Sequence, residues 1–248
     1  MIPQIALRLI FGMSLTWCVM PRREVTSGFF RIQMLVTLGL SVLATLTLSQ
    51  LESPGVATPG LYALTIGVAI ASFIGSIMWT LERRAAGVRF ALSVLVMSAV
   101  ALIFATWGRM SGVPLWFDLF AELSGGWIIG GAISTMLLGH WYLTATGMKI
   151  EPLQQMNGLL LAAVAVRTVL AGAVFLWAPP LEATTQWVWL ALRWAGLIGP
   201  LILVSLVFRI LKYRNTQSAT GVLYAIDILI FLGEATAALL SRDLHVPF

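Results

Sequence analysis

Residues 60–80 read GLYALTIGVAIASFIGSIMWT and contain no Asp, Glu, Lys or Arg. A helix of this length rises by about 30 Å, which matches the hydrocarbon core of a bilayer. A strand of a membrane barrel would instead show polar and apolar residues alternating over about ten positions. The continuous apolar run therefore predicts a transmembrane α-helix.

Similar runs recur along the whole chain. Of its 248 residues, 59% are hydrophobic and only 10% are charged, whereas soluble domains carry roughly 25% charged residues. The connections between the runs are short and rich in turn-forming residues, which leaves no room for a soluble domain. We therefore predict an all-α fold, a polytopic bundle of about eight transmembrane helices in a single membrane domain over residues 1–248. The predicted spans are about 3–20, 29–50, 60–80, 88–107, 115–142, 156–177, 186–208 and 219–240.

The basic residues predict the orientation of these spans. The first, third, fifth and seventh loops and their flanks contain Arg22, Arg23, Arg31, Arg83, Arg84, Arg89, Lys149, Arg209, Lys212 and Arg214, and the opposite side contains Arg109 and Arg242. Lys and Arg are retained on the cytoplasmic side of membrane proteins. We therefore predict that both termini lie outside, in the inner membrane of a bacterium. Basic residues distributed in this way indicate topology, and we expect no nucleic-acid partner.

Residues that bind metals or redox groups are scarce. The chain has one cysteine, Cys18, and two histidines, His140 and His245. The two histidines are predicted on opposite sides of the membrane, which excludes a bis-histidine haem within the chain. We predict no metal site, and we assign no catalytic residue, because the sequence contains no phosphate loop, zinc motif or nucleophile elbow. We therefore expect no catalysis by the chain alone.

Six ionisable residues fall inside the predicted spans. They are Arg8, Glu122, Arg167, Arg193, Asp227 and Glu234. A charge at the bilayer centre costs at least about 2.5–3.5 kcal/mol on insertion scales, so such residues usually face the interior and pair. Two interpretations stay open: structural ion pairs that fix helix rotation, or a site for a polar head group, a quinone or a proton.

The depths of these residues indicate a common layer. Four of them are predicted about five to seven residues from the outer ends of their spans, namely Arg8, Glu122, Arg193 and Glu234. Arg167 is predicted near the middle of span six, and Asp227 shares one face of span eight with Glu234. Glu122 is the strongest single candidate, because Asp118 lies one turn away on the same face.

His140 is a separate candidate near the inner end of span five, next to Trp141. It follows Glu122 by five helical turns, or roughly 27 Å, so the two residues cannot share a site. Its candidate roles are a hydrogen bond to a quinone carbonyl, ligation of a haem or magnesium chlorin, proton relay, or simply a bond to a backbone carbonyl.

These observations lead to three functional hypotheses. The first is an accessory or quinone-interacting membrane subunit of a larger bacterial electron-transfer complex, whose partners are the bilayer and other membrane or redox subunits. The second is a small secondary transporter or proton-coupled carrier that binds its substrate at Arg167, Asp227 and Glu234. The third is a purely structural membrane scaffold.

Overall fold

Eight α-helices make up most of the computed structural model, which describes residues 2–48, 58–107, 112–145 and 147–248. The helices are α1 (Ile2–Val19), α2 (Ser27–Thr47), α3 (Thr58–Thr80), α4 (Arg84–Thr106), α5 (Leu115–Thr144), α6 (Glu151–Ala173), α7 (Thr184–Lys212) and α8 (Thr216–Leu244). A short 3₁₀ helix, Val174–Leu176, extends α6. All eight α-helices are long and apolar enough to cross a membrane. The prediction of an all-α bundle with eight spans is confirmed, and the placement of both termini outside stays a prediction.

The last two helices extend beyond the predicted spans because polar residues stabilise their ends. Arg209 and Lys212 lie in the last turn of α7, where positive charge interacts favourably with the helix dipole and the unpaired carbonyl groups. At the start of α8, the side chain of Asn215 accepts a hydrogen bond from the Ser218 N–H at 3.0 Å. Hydropathy alone does not detect such ends, because the stabilising residues are polar.

The helices form two regions. Helix α3 packs between α2 and α4, and we call these helices the three-helix layer. Helices α5, α6, α7 and α8 pack in sequence, with α8 returning to α5, and α1 packs along α5. We call α1 and α5–α8 the five-helix bundle. Helix α1 also contacts α2 and α4, so it joins the two regions.

Glycines bring helix backbones into direct contact in the five-helix bundle. A Cβ atom added to Gly12 in α1 would lie 1.9 Å from the carbonyl oxygen of Gly126 in α5. A Cβ atom added to Gly196 in α7 would lie 2.5 Å from the Cα atom of Gly233 in α8. Small residues at such crossings allow close approach between helices in lipid. The close approach of α1 to α5 places the charged side chains of the two helices within reach of one another.

Contacts between helices define the two ends of the five-helix bundle. Arg8 lies beside Glu122 and Gly12 beside Gly126, so α1 and α5 run parallel. Helix α8 runs antiparallel to α5, since Gly125 lies near Glu234 while Gly139 lies near Thr220. We call the end where α1 begins and α8 finishes the amino-terminal end of the bundle, and the other the opposite end.

Candidate functional site

The first component of the site is a salt bridge between α1 and α5. Arg8 donates from Nε to Glu122 Oε2 and from Nη2 to Glu122 Oε1, both at 2.8 Å. Gln4, one turn earlier in α1, donates from Nε2 to Glu122 Oε1 at 2.5 Å. The paired bonds form the bidentate geometry in which arginine binds a carboxylate most strongly. This pair fixes the rotation of α1 against α5.

A second bidentate pair joins α6 to α8. Arg167 donates from Nε to Glu234 Oε1 at 2.9 Å and from Nη2 to Glu234 Oε2 at 3.0 Å. The remaining contacts of Arg167 are to backbone carbonyls, from Nη1 to Ala121 at 3.2 Å and from Nη2 to Phe248 at 2.7 Å. Every nitrogen of this buried guanidinium therefore has an acceptor, as a charge inside a membrane protein requires.

Arg193 in α7 completes the group with a single bond. Its Nη1 donates to Glu234 Oε1 at 2.5 Å, and Arg8 Nη1 lies 3.7 Å from Glu234 Oε2. The contacts of Glu234 therefore join α1, α6, α7 and α8. The salt bridge between Arg8 and Glu122 connects α5 to the same network. The side chain of Arg193 is only 1% exposed, and its Nε and Nη2 make no hydrogen bond with any of the described residues. We call Arg8, Glu122, Arg167, Arg193 and Glu234 the arginine cluster.

Gly125 and the segment after α8 border the arginine cluster, and neither was among the predicted site residues. Gly125 leaves room for it, because an added Cβ would lie 3.2 Å from Glu234 Oε2 and 3.5 Å from Arg8 Cζ. The segment after α8 folds back over the amino-terminal end of the bundle. It begins with a left-handed residue, His245 (φ 58°), and Phe248 is buried with its N–H donating to Ser241 Oγ at 2.9 Å. The run of glycines after Glu122 indicates from sequence that Gly125 lies at a close helix contact. No feature of the sequence indicates the contact between Phe248 and Arg167.

The structure shows the surroundings of two further charged residues, Arg167 and Asp227. Arg167 was predicted near the middle of span six, and its guanidinium group binds Glu234. Helix α6 begins at Glu151, about five residues before the predicted start, so Arg167 is nearer to its end. Asp227 shares the helix of Glu234 but lies about 10 Å further along the axis, and the described part of the chain offers no hydrogen-bond partner to either of its carboxylate oxygens.

A second, smaller group lies near the opposite end of the bundle. The Oη atom of Tyr224 in α8 lies 3.4 Å from Nδ1 of His140 in α5. The side chains of both residues are exposed on the surface of the helices, Tyr224 with 42% of its area. Asp227, which is only 7% exposed, follows Tyr224 by one helical turn. We call His140 and Tyr224 the histidine–tyrosine pair.

These observations define a class of protein, a multi-pass helical membrane protein with a charged cluster inside its bundle. Within the described residues, no three His, Cys, Asp or Glu side chains are grouped so that they could hold a metal ion. No protein-family model matches the chain, and no curated protein and no solved structure matches it either. Functional inference therefore rests on the two groups of side chains described above.

Proposed function

We propose that this chain is a quinone-interacting membrane subunit of a larger electron-transfer complex, with the quinone head group bound at the histidine–tyrosine pair. The observation that carries the proposal is the contact between His140 Nδ1 and Tyr224 Oη at 3.4 Å, made by two side chains on the exposed surface of apolar helices. A quinone diffuses within the bilayer, so a polar pair on this surface is accessible to it without a channel.

The chemistry of the pair suits a quinone carbonyl. A tyrosine hydroxyl and an imidazole N–H are both hydrogen-bond donors, and a quinone presents two carbonyl oxygens as acceptors. Ile228 and Phe231 follow Tyr224 at helical spacing, and both are exposed, by 68% and 36%. Positions i, i+4 and i+7 lie on one side of a helix. This apolar stripe offers a contact surface for the ring and the isoprenoid tail.

Asp227 supports a role in proton transfer at the same place. Reduction of a quinone to a quinol takes up two electrons and two protons. In the proposed complex, a redox centre of a partner subunit supplies the electrons. Asp227 is a buried carboxyl group one turn from Tyr224 and accepts no hydrogen bond from the described residues. A carboxyl group in such surroundings is suited to carry one of the protons, since intramembrane ionisable groups commonly form proton relays.

Quinone binding by the purified chain in lipid nanodiscs tests the proposal. We expect Tyr224→Phe and His140→Phe each to weaken binding by about fivefold, because each removes one hydrogen bond worth about 1 kcal/mol. Tyr213→Phe is the matched control, since Tyr213 is 82% exposed directly after α7 and is not part of the pair. Wild-type affinity in both Tyr224→Phe and His140→Phe would contradict the proposal. Purification from native membranes in mild detergent should also recover stoichiometric redox subunits.

A proton-coupled carrier is the second candidate, and the burial of Asp227 without a described partner favours it. In proteoliposomes, a carrier would show substrate uptake driven by a proton gradient, and Asp227→Asn would abolish the coupling. A purely structural scaffold predicts neither uptake nor quinone binding, and its charged residues would affect stability alone. Uptake and quinone binding therefore separate the three functions.

A further inference from the structure

The three arginines of the arginine cluster differ in how they use the same edge of the guanidinium group. Arg8 binds Glu122 through Nε and Nη2, and Arg167 binds Glu234 through Nε and Nη2. Arg193 binds Glu234 through Nη1 alone. Its Nε and Nη2 have no acceptor among the described residues, although only 1% of the side chain is exposed.

The paired edge of an arginine has a defined partner chemistry. The N–H groups of Nε and Nη2 point in the same direction, and their spacing matches the two oxygens of a carboxylate. Buried donors are almost always satisfied in native proteins, and the requirement is strictest inside a membrane, where water is scarce. An Arg193 edge without an acceptor therefore indicates that a group from outside the described residues completes it.

We propose that Nε and Nη2 of Arg193 form a binding site for the carboxylate of a small carboxylic acid. The bound carboxylate takes the position relative to Arg193 that Glu122 takes relative to Arg8 and Glu234 takes relative to Arg167. This site lies near the amino-terminal end of the bundle. It is independent of the proposed quinone site, which lies near the opposite end.

The bonding of Glu234 leaves Arg193 with fewer acceptors than the other two arginines. Arg167 and Arg193 share the single carboxylate of Glu234, and Arg167 binds both of its oxygens in a bidentate pair. Arg193 therefore keeps two N–H donors on one edge. A ligand carboxylate supplies an acceptor oxygen to each of them in one step, which a ligand with a single hydroxyl oxygen cannot do.

The same carboxylate chemistry has two sources. One source is a short water-soluble acid from the aqueous phase. The other is a fatty acid from the lipid, with its chain between apolar helices. The test therefore includes one acid of each kind.

The test uses the full chain in nanodiscs, labelled with ¹⁵N-arginine, and ¹³C-carboxyl benzoate or ¹³C-carboxyl palmitate as the probe. Solid-state NMR should detect a dipolar contact of about 4 Å between the ligand carboxyl carbon and an arginine Nε. Arg193→Lys keeps the charge but loses the paired edge, so the contact should disappear and the affinity should fall by about tenfold. Arg31→Lys, at an exposed position of α2, is the matched control and should retain the contact.

A contact with benzoate alone assigns the site to soluble acids, and a contact with palmitate alone assigns it to fatty acids. The absence of a contact with either acid overturns the proposal. A second measurement does not depend on the folding of a variant. Benzoate should raise the melting temperature of the wild-type chain, whereas benzyl alcohol, which lacks the carboxylate, should not. Equal effects of the two compounds would also overturn the proposal.

Discussion

The five-helix bundle and the three-helix layer satisfy their buried polar groups in different ways. In the three-helix layer, hydroxyl groups mostly bond to carbonyls of their own helix, as Thr65 does to Leu61 at 3.0 Å. A contact of 3.2 Å between the hydroxyls of Thr37 and Ser72 joins α2 to α3. In the five-helix bundle, salt bridges between helices connect α1 to α5 and connect α6 and α7 to α8.

The difference follows from the reach of the side chains and from the solvent. Ser and Thr are short and bond to the carbonyl one turn earlier, so they contribute little to contacts between helices. Arg and Glu reach across a helix interface, and in lipid the loss of a partner is costly. In an apolar stretch of 18 residues of α5, 72% is buried, whereas the values are 28–39% for α2–α4 and 33–44% for α6–α8. The ion pairs therefore specify the arrangement around α5, and the layer relies on packing against α1 and lipid.

The largest effect is expected for Glu234→Gln. The change removes the carboxylate that Arg167 and Arg193 share, and breaking a buried ion pair by removing one partner costs about 3–5 kcal/mol. We expect a loss of this size in the free energy of unfolding, measured by titration with SDS in mixed micelles. Glu182→Gln, at an exposed position before α7, is the control and should change stability by less than about 0.5 kcal/mol. Equal stability of the two variants would show that the cluster does not hold the bundle together.

A smaller effect is expected for Gly12→Ala. The added Cβ would lie 1.9 Å from the Gly126 carbonyl oxygen, so α1 must move away from α5, and overpacking of this kind costs about 1–3 kcal/mol. The same movement should weaken the bond between Arg8 and Glu122. Gly39→Ala in the three-helix layer is the control, because nothing lies within 4 Å of its added Cβ. A Gly12→Ala protein as stable as the control would contradict the role of the close crossing.

The smallest effect is expected for Ser72→Ala, which removes the contact with Thr37 between α2 and α3. Hydrogen bonds between membrane helices average about 0.6 kcal/mol in double-mutant cycles. A cycle of Ser72→Ala with Thr37→Val should return a coupling energy of this size in the same SDS titration. A coupling of several kcal/mol would remove the distinction between the two regions, because the layer would then also depend on a polar contact.

The layer of charges was predictable in part because depth follows from position along a helix. Distances from the span ends predicted a common layer of four residues, and salt bridges join these residues, namely Arg8, Glu122, Arg193 and Glu234. The contact of Arg167 with Glu234 was harder to predict, because the start of α6 includes polar residues that hydropathy excludes from the span. A boundary error of one turn moves a residue by about 5 Å.

The sequence did not predict hydrogen-bond partners that lie after the last helix, or which neighbouring helix binds a given carboxylate. Phe248 accepts a hydrogen bond from Arg167 through a backbone carbonyl, and every residue type has such a group. Asp227 and Glu234 share a helix face, yet the arginines bind only Glu234, because a shared face does not specify which neighbouring helix supplies a cation at each depth. The functions proposed for the histidine–tyrosine pair and for Arg193 stay predictions.

By itself, the sequence determined that this chain forms eight apolar helices long enough to cross a membrane, because the length and composition of each run are local properties. Only the tertiary structure decided which charged side chains meet, that the Nε–Nη2 edge of Arg193 has no acceptor among the described residues, and that His140 lies beside Tyr224. Those outcomes depend on the rotation of each helix and on its neighbours. Both are set by glycine contacts and ion pairs between segments that are more than 30 residues apart in the chain.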